Sequence, residues 1–306
     1  MERTPRIGGP VSQRLREHID EIEVYVTRIA DATGIPAAHI EKDFWVTEVL
    51  RRAAAASTST RCSVIFKGGT SLSKAHRLIQ RFSEDVDLIV VLPQGGKGAA
   101  DRTLKAFEAA AEASTGIGST TDPSTVTKGV KRSATFNYPT SRPTGLLKPG
   151  VLMELGTRGG ALPYRRLPIQ SLIAEHAEIV GLPIDFDEAA PIGLLVLDPV
   201  RTLVEKLVLL HHAASQGDQR RQTLTARHYY DIDRLLRDET ILNELQSSEI
   251  DVLAREVTQH SKAAGLPTAE RPAARSGGFR TLVPIVSVQL FRGFRTPVGG
   301  GLVALA

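Results

Sequence analysis

A single cysteine, Cys62, stands in 306 residues, so no internal disulfide framework can hold this chain together. Aromatic residues are scarce at 5%, with one tryptophan, Trp45. Apolar runs are short: Ile192–Leu197 is among the longest, far from the ~20 residues of a membrane helix. The Met1–Pro10 start has no apolar stretch or cleavage signature, which predicts a cytoplasmic protein that is not exported. Acidic residues are missing after Glu270, where Arg271, Arg275, Arg280, Arg292 and Arg295 are the charged positions. No repeat with a period of 20–50 residues is visible. What is present is globular: 42% hydrophobic and 24% charged residues, enough for one large or two modest domains. A net charge of +4 permits a phosphate-bearing partner without requiring one.

Hydrophobic spacing organises the first two thirds. Leu15, Ile19, Ile22, Val26 and Ile29 recur at three-to-four spacing, which predicts a helix over 14–32, and a second helix follows the Gly34-Ile35-Pro36 break as far as the Ser57–Thr60 loop. Cys62–Phe66 reads as a strand, Lys67–Ser71 as a turn and Leu72–Gln80 as a helix. Val86–Leu92 then reads as a strand and Asp101–Ala113 as a helix. Further strands are predicted at Ala134–Tyr138 and Val151–Leu155, and helices at Ile169–Val180, Val200–Ala214, capped by Asp198-Pro199, and Ala226–Arg237. The pattern is α/β, with N-terminal helices and a mixed sheet in 1–195, a helical part in 196–265, and a tail from 266 to 306 that the pattern does not place.

The chemistry concentrates around two short stretches. Gly68, Gly69, Thr70 and Ser71 follow a strand and open a helix, where backbone N–H groups can approach a phosphate, and Lys67 is placed to touch it. Taken alone this is an ordinary turn, without the spacing of a P-loop. Asp85 and Asp87 flank Val86 where the next strand begins, so a period of two puts both carboxylates on one face. Such a pair suits Mg²⁺ or Mn²⁺ carrying substrate phosphates, the alternative being a solvated acidic turn.

Together, strand, Gly-Gly-Thr-Ser turn, helix and Asp-x-Asp form the arrangement of the nucleotidyltransferase superfamily. Ile40–Thr47, Phe66–Lys74 and Gln80–Leu88 resemble its AbiEii branch, which includes the MenT toxins; more loosely the resemblance reaches Val200–Leu210 and Arg227–Ile232. It spans roughly residues 38–240 and leaves the tail unsupported. It implies a nucleotidyltransferase fold, transfer of a nucleoside monophosphate from an NTP with loss of pyrophosphate, and the toxin half of a toxin–antitoxin or phage-defence pair. Its expected partners are an antitoxin and an RNA acceptor, foremost the transfer RNA 3′ end. It makes Lys206 a nucleotide-phosphate ligand and Asp231 the acid of the last motif, with Arg227 as a nearby partner. Outside the resemblance, Lys206 reads as a snorkelling lysine and Asp231 as half of a surface ion pair.

Phosphoryl transfer on metal ions calls for a third carboxylate, and Glu154, mid-strand, is the candidate metal ligand or base; otherwise it is an edge-strand acid facing water. It is the only acid between Asp122 and Glu175, in a cationic run containing Lys128, Lys131, Arg132, Arg165 and Arg166, the expected RNA contacts. Ser83, two residues before Asp85, is a candidate regulatory phosphosite. The competing functions are a transferase that modifies a small molecule and a catalytically idle nucleic-acid-binding protein.

Overall fold

The structure is a computed structural model that describes residues 14–92, 96–115, 117–140, 142–143, 145–157, 159–215, 226–245 and 250–263. The tail predicted from residue 266 lies outside these, as does most of the polar loop after Ser215.

The chain divides into two compact units. The first contains residues 1–75, 82–157 and 165–196 and is built on a seven-stranded sheet. Its strands are β1 (Ser63–Lys67), β2 (Val86–Val91), β3 (Ser119–Thr121), β4 (Lys131–Phe136), β5 (Val151–Gly156), β6 (Tyr164–Ile169) and β7 (Ile192–Leu197), in the order β3-β4-β5-β2-β1-β7-β6. β1 runs antiparallel to β2 and parallel to β7, and β2 runs parallel to β5, so the sheet is mixed. Helices α1 (Ile19–Thr33), α2 (Ala37–Thr60), α3 (Gly68–Lys74), α4 (Lys97–Thr115) and α5 (Leu172–His176) complete it.

Period-two alternation decides the two faces of the sheet. Val64, Phe66, Val86, Leu88, Val90, Val151, Met153 and Leu155 share one buried core with Phe44, Val49 and Phe107 of α2 and α4. The residues between them, including Lys67, Asp87 and Glu154, therefore lie on the opposite face.

Three elements differ from expectation. α2 runs on to Thr60 through the predicted loop, because Ala53 and Ala56 are buried and tertiary packing overrides the weak Ser/Thr signal. α3 begins on the glycines themselves and stops at Lys74. The helix predicted over 169–180 is shorter and broken: Ile169 ends β6, a five-residue helix capped by Ser171 follows, and a short 3₁₀ turn closes the segment.

The second unit comprises 76–81, 158–164 and 197–306. Its described helices are α6 (Pro199–Ser215), α7 (Ala226–Leu236), α8 (Glu239–Leu245) and α9 (Ile250–Ala263). Asp198 caps α6 by accepting from Val200 N at 2.9 Å. The core is formed by Leu203, Val204, Leu207, Ile232, Leu235, Ile241 and Val257. Arg201 is fully buried there; it donates to the Leu162 carbonyl, and a Cβ on Gly160 would overlap its guanidinium.

Candidate active site

Sheet register assembles the centre of the site. In β2, Asp87 stands opposite Lys67 of β1 on one side and Glu154 of β5 on the other. Asp85 ends the loop that leads into β2, and its carboxylate is met by Lys148. Thus Lys67, Asp87 and Glu154, distant in sequence, stand side by side on three adjacent strands. The turn between β1 and α3 closes on Asp87: Gly68 has φ +79, and a Cβ there would overlap Asp87 Oδ2. Only glycine permits both that backbone and that approach.

The turn's hydroxyls are spent inside the protein. Thr70 and Ser71 are buried; Thr70 Oγ1 donates to the Asp85 carbonyl at 2.5 Å and lies 2.8 Å from Ser83 Oγ, while Ser71 Oγ donates to the Gly68 carbonyl at 2.9 Å. What residues 68–71 offer a phosphate is therefore backbone, and their side chains fix the Ser83–Asp85 loop instead. His39 stacks on Phe82 with ring centroids 4.4 Å apart, holding the same loop from α2.

The acids carry lysine partners. Lys148 Nζ lies 3.2 and 3.1 Å from the two Asp85 carboxylate oxygens, and Lys131 Nζ lies 2.9 Å from Glu154 Oε1. Among the described residues no three His, Cys, Asp or Glu side chains converge to hold a metal ion, so the expected three-carboxylate centre is not preassembled. The ammonium groups occupy oxygens that a cation would need. The donor set nonetheless has the hard oxygen chemistry of a Mg²⁺ site, in which one or two carboxylates act with substrate phosphates.

Sequence inspection missed a buried charge network behind this face. Lys42 of α2 is fully buried; its Nζ donates to the carbonyls of Lys148 (2.7 Å) and Gly150 and pairs with Glu84 Oε2 at 3.2 Å. Burial pushes the Lys42 ammonium below the usual lysine range, against the pull of Glu84. Asp43 accepts from Lys74 Nζ at 2.5 Å and Leu172 N at 2.7 Å, tying α3 and α5 to α2. The detectable signal was a Glu-Lys-Asp triplet followed directly by Phe44 and Trp45, which are core residues.

The cationic run does not surround Glu154 as expected. Lys131 shares its face, but the next residue, Arg132, points to the other face and is paired with Glu108 of α4. Arg132 and the exposed Lys128 line a groove of about 580 Å³ with Asp101, Lys105, Thr121 and Val126. Arg165 and Arg166 lie on β6, four strand positions from β5, or roughly 19 Å at normal strand spacing; Arg166 donates to the Gly193 carbonyl.

Within the second unit, Lys206 and Asp231 meet. Lys206 Nζ is 2.8 Å from Asp231 Oδ2, and Arg81 makes a two-pronged contact with the same carboxylate at 2.7 and 2.8 Å. Arg81 and Lys206, not Arg227, are thus the pictured partners of Asp231, which is fully buried rather than on a helix surface. Burial pushes the Asp231 carboxyl up, but the hydrogen bonds from Arg81 and the charge of Lys206 outweigh it and hold the group below the usual range. Burial and Lys206 also hold the His228 imidazole down to about 4, so it is neutral at physiological pH.

A Gly-rich turn pressed against Asp-x-Asp, with a third acid on the neighbouring strand, defines the nucleotidyltransferase class. The family model for the nucleotidyl transferase AbiEii toxin of type IV toxin–antitoxin systems matches residues 48–292, and the chain belongs to that family of enzymes. Membership implies an NTP substrate and an antitoxin partner, and enzymes of the family are typically metal-dependent. The match starts inside α2, after Ile40–Thr47, and continues past Gly265, so the likeness lies further toward the C-terminus than the motifs alone suggested. Among solved structures the chain is similar to MenT4, the nucleotidyltransferase toxin Rv2826c from Mycobacterium tuberculosis H37Rv, at 19% identity over 83% of this chain and 77% of that one, with a TM-score of 0.46. No curated protein matches it. No described helix is long and apolar enough to cross a membrane.

Proposed function

We propose that this toxin transfers a nucleoside monophosphate from an NTP to a hydroxyl of RNA, foremost the transfer RNA 3′ end, releasing pyrophosphate in the cytoplasm. The observation that carries the proposal is the register that sets Asp87 between Lys67 and Glu154 with the Gly68 turn against its carboxylate. Asp85 and Asp87, with Glu154 beside them, would hold Mg²⁺ or Mn²⁺, which supplies charge neutralisation on the phosphates and lowers the pKa of the attacking hydroxyl. Glu154 would take that hydroxyl's proton. The backbone of residues 68–71 and Lys67 would orient the triphosphate; in the second unit Asp231 fixes the ammonium of Lys206, the nucleotide-phosphate ligand that the family resemblance implies.

Support for a polyanionic acceptor comes from Lys131 on the carboxylate face and the net charge of +4. The separation of Arg132, Arg165 and Arg166 from that face favours a second reading, a small-molecule acceptor. One experiment separates them. Purified protein is incubated with Mg²⁺, each of the four α-labelled NTPs and total cellular RNA. Label is expected in a transfer-RNA-sized band, at the 3′ end, and should vanish with ribonuclease; its yield should fall steeply as salt rises. Label that resists ribonuclease and follows a small metabolite would establish the second reading.

A further inference from the structure

The strongest unused feature is the segment Lys148–Gly150, which is pinned in place more firmly than an ordinary loop. Lys42 Nζ has three N–H donors, and the structure supplies three acceptors: the Lys148 carbonyl, the Gly150 carbonyl and Glu84 Oε2. Glu84 Oε2 in turn accepts from Lys148 N at 3.0 Å, which closes a ring through Lys42, Glu84 and the Lys148 backbone. Gly150 has φ +65, and a Cβ there would lie 2.7 Å from the Phe136 carbonyl, so only glycine lets the segment lie this close to β4. A buried Lys–Glu pair contributes little net stability once desolvation is counted. What it supplies here is a fixed backbone beneath one side chain.

That side chain is Lys148. Its ammonium reaches the Asp85 carboxylate while 53% of the side chain remains exposed, so the pair is held at the protein surface and is weak. An incoming triphosphate adds negative charge to a face that already carries Asp85, Asp87 and Glu154, and needs cations mounted on rigid backbone to receive it. Lys148 is such a cation on the Asp85 side, as Lys131 is on the Glu154 side; of the two, Lys148 is the one whose backbone is clamped by a buried pair.

We infer that Lys148 is a further nucleotide-binding residue of this site: its ammonium shields Asp85 before nucleotide arrives and moves to the triphosphate when a cation takes its place on that carboxylate. The inference rests on the proposed reading of this face as the NTP site. Lys42 and Glu84 act as positioning residues that set where the ammonium can swing.

The test measures binding rather than turnover, with two probes on Lys148→Met, Lys148→Arg and the control Lys105→Met, whose exposed lysine pairs with Asp101 along α4. The probes are Mn²⁺ alone and NTP analogues with a methylene between the α and β phosphorus atoms, titrated at saturating Mg²⁺. Lys148→Met is expected to bind Mn²⁺ about threefold more tightly, because a competing ammonium is gone, and the preferred analogue about tenfold more weakly. Lys148→Arg should recover most of the analogue affinity, and Lys105→Met should change neither. All variants should melt with the wild type, since the clamp uses only the backbone of residue 148. Tighter binding of both probes would make Lys148 a mere counter-ion and overturn the inference, as would unchanged analogue binding. If the wild type binds no analogue, the reading of the face as a nucleotide site fails, and the inference with it.

Discussion

Replacing Gly68 by alanine should separate the cost to the fold from the cost to the chemistry. The residue has φ +79, where a Cβ costs about 1–2 kcal/mol. In a chain of this size that lowers Tm by only a few degrees. The new methyl would overlap Asp87 Oδ2 and lie 3.0 Å from its Cγ. Carbon atoms rest about 3.5–4.0 Å apart, so the carboxyl must retreat by roughly 0.5–1 Å. The obstacle is the end of a rotatable side chain, so the fold absorbs it cheaply. With Asp87 in its proposed metal-binding role, displacement by that distance should cost about a hundredfold in rate. The assay is transfer of labelled NMP at saturating NTP, with thermal melting alongside. Activity within threefold of wild type would refute the reasoning, because it would show that the turn does not set the position of Asp87. A collapse of Tm beyond what the backbone term allows would refute the partition between fold and chemistry.

Asp85→Asn and Asp87→Asn should each lower transfer by roughly a thousandfold or more with the fold intact, as the charge goes and the volume stays; more than a tenth of wild-type activity in both would remove them from the metal site. Lys206→Ala should weaken NTP use and also destabilise the protein, by about 3 kcal/mol, because buried Asp231 would keep only Arg81; a chemical denaturation curve measures it. Since the folded carboxyl of Asp231 titrates below its unfolded value of 3.8, its stabilisation is present above that pH and is lost as pH falls through the lower folded value, and Lys206→Ala should flatten that acid limb. Phosphorylation of Ser83 would place about two negative charges beside Asp85 and break the contact with Thr70 Oγ1, so the phosphorylated protein should be inactive; normal Mg²⁺-dependent transfer by it would exclude regulation there.

The parts of the site that could be seen in the sequence are those that depend on short range. A glycine pair after an apolar run, and two aspartates around one valine, carry their meaning within five residues, and period two then dictates a common face. The parts that could not be seen depend on sheet order and on sequence-distant pairing. Nothing local says that β5 lies beside β2, which is what brings Glu154 to Asp87. Nor does a linear cluster of cations reveal that alternation sends Lys131 and Arg132 to opposite faces, or that β6 lies at the far edge. β6 contains Pro168, a residue that argues against a central strand and is compatible with this edge position. β7 was a bare apolar run of six, which periodicity alone cannot assign to strand or helix. Lys42 and Glu84 are 42 positions apart, and only their shared burial links them.

Charge on this protein falls into two physical kinds, and the difference bears on how the site operates. Lys42–Glu84, Lys74–Asp43 and Lys206–Asp231 are buried at both ends, where losing either partner strands a charge in a poorly solvated interior. Opening such a pair is costly, and each holds two sequence-distant segments together. Lys148–Asp85 and Lys131–Glu154 are partly exposed, and pairs of that kind are worth less than about 1 kcal/mol. Without them three carboxylates on neighbouring positions would repel one another; with them the face is neutralised by partners weak enough to yield to a divalent cation. The acidic face is thus kept folded at little cost by its lysine partners, and the buried Lys42–Glu84 pair fixes the backbone from which one of them, Lys148, extends.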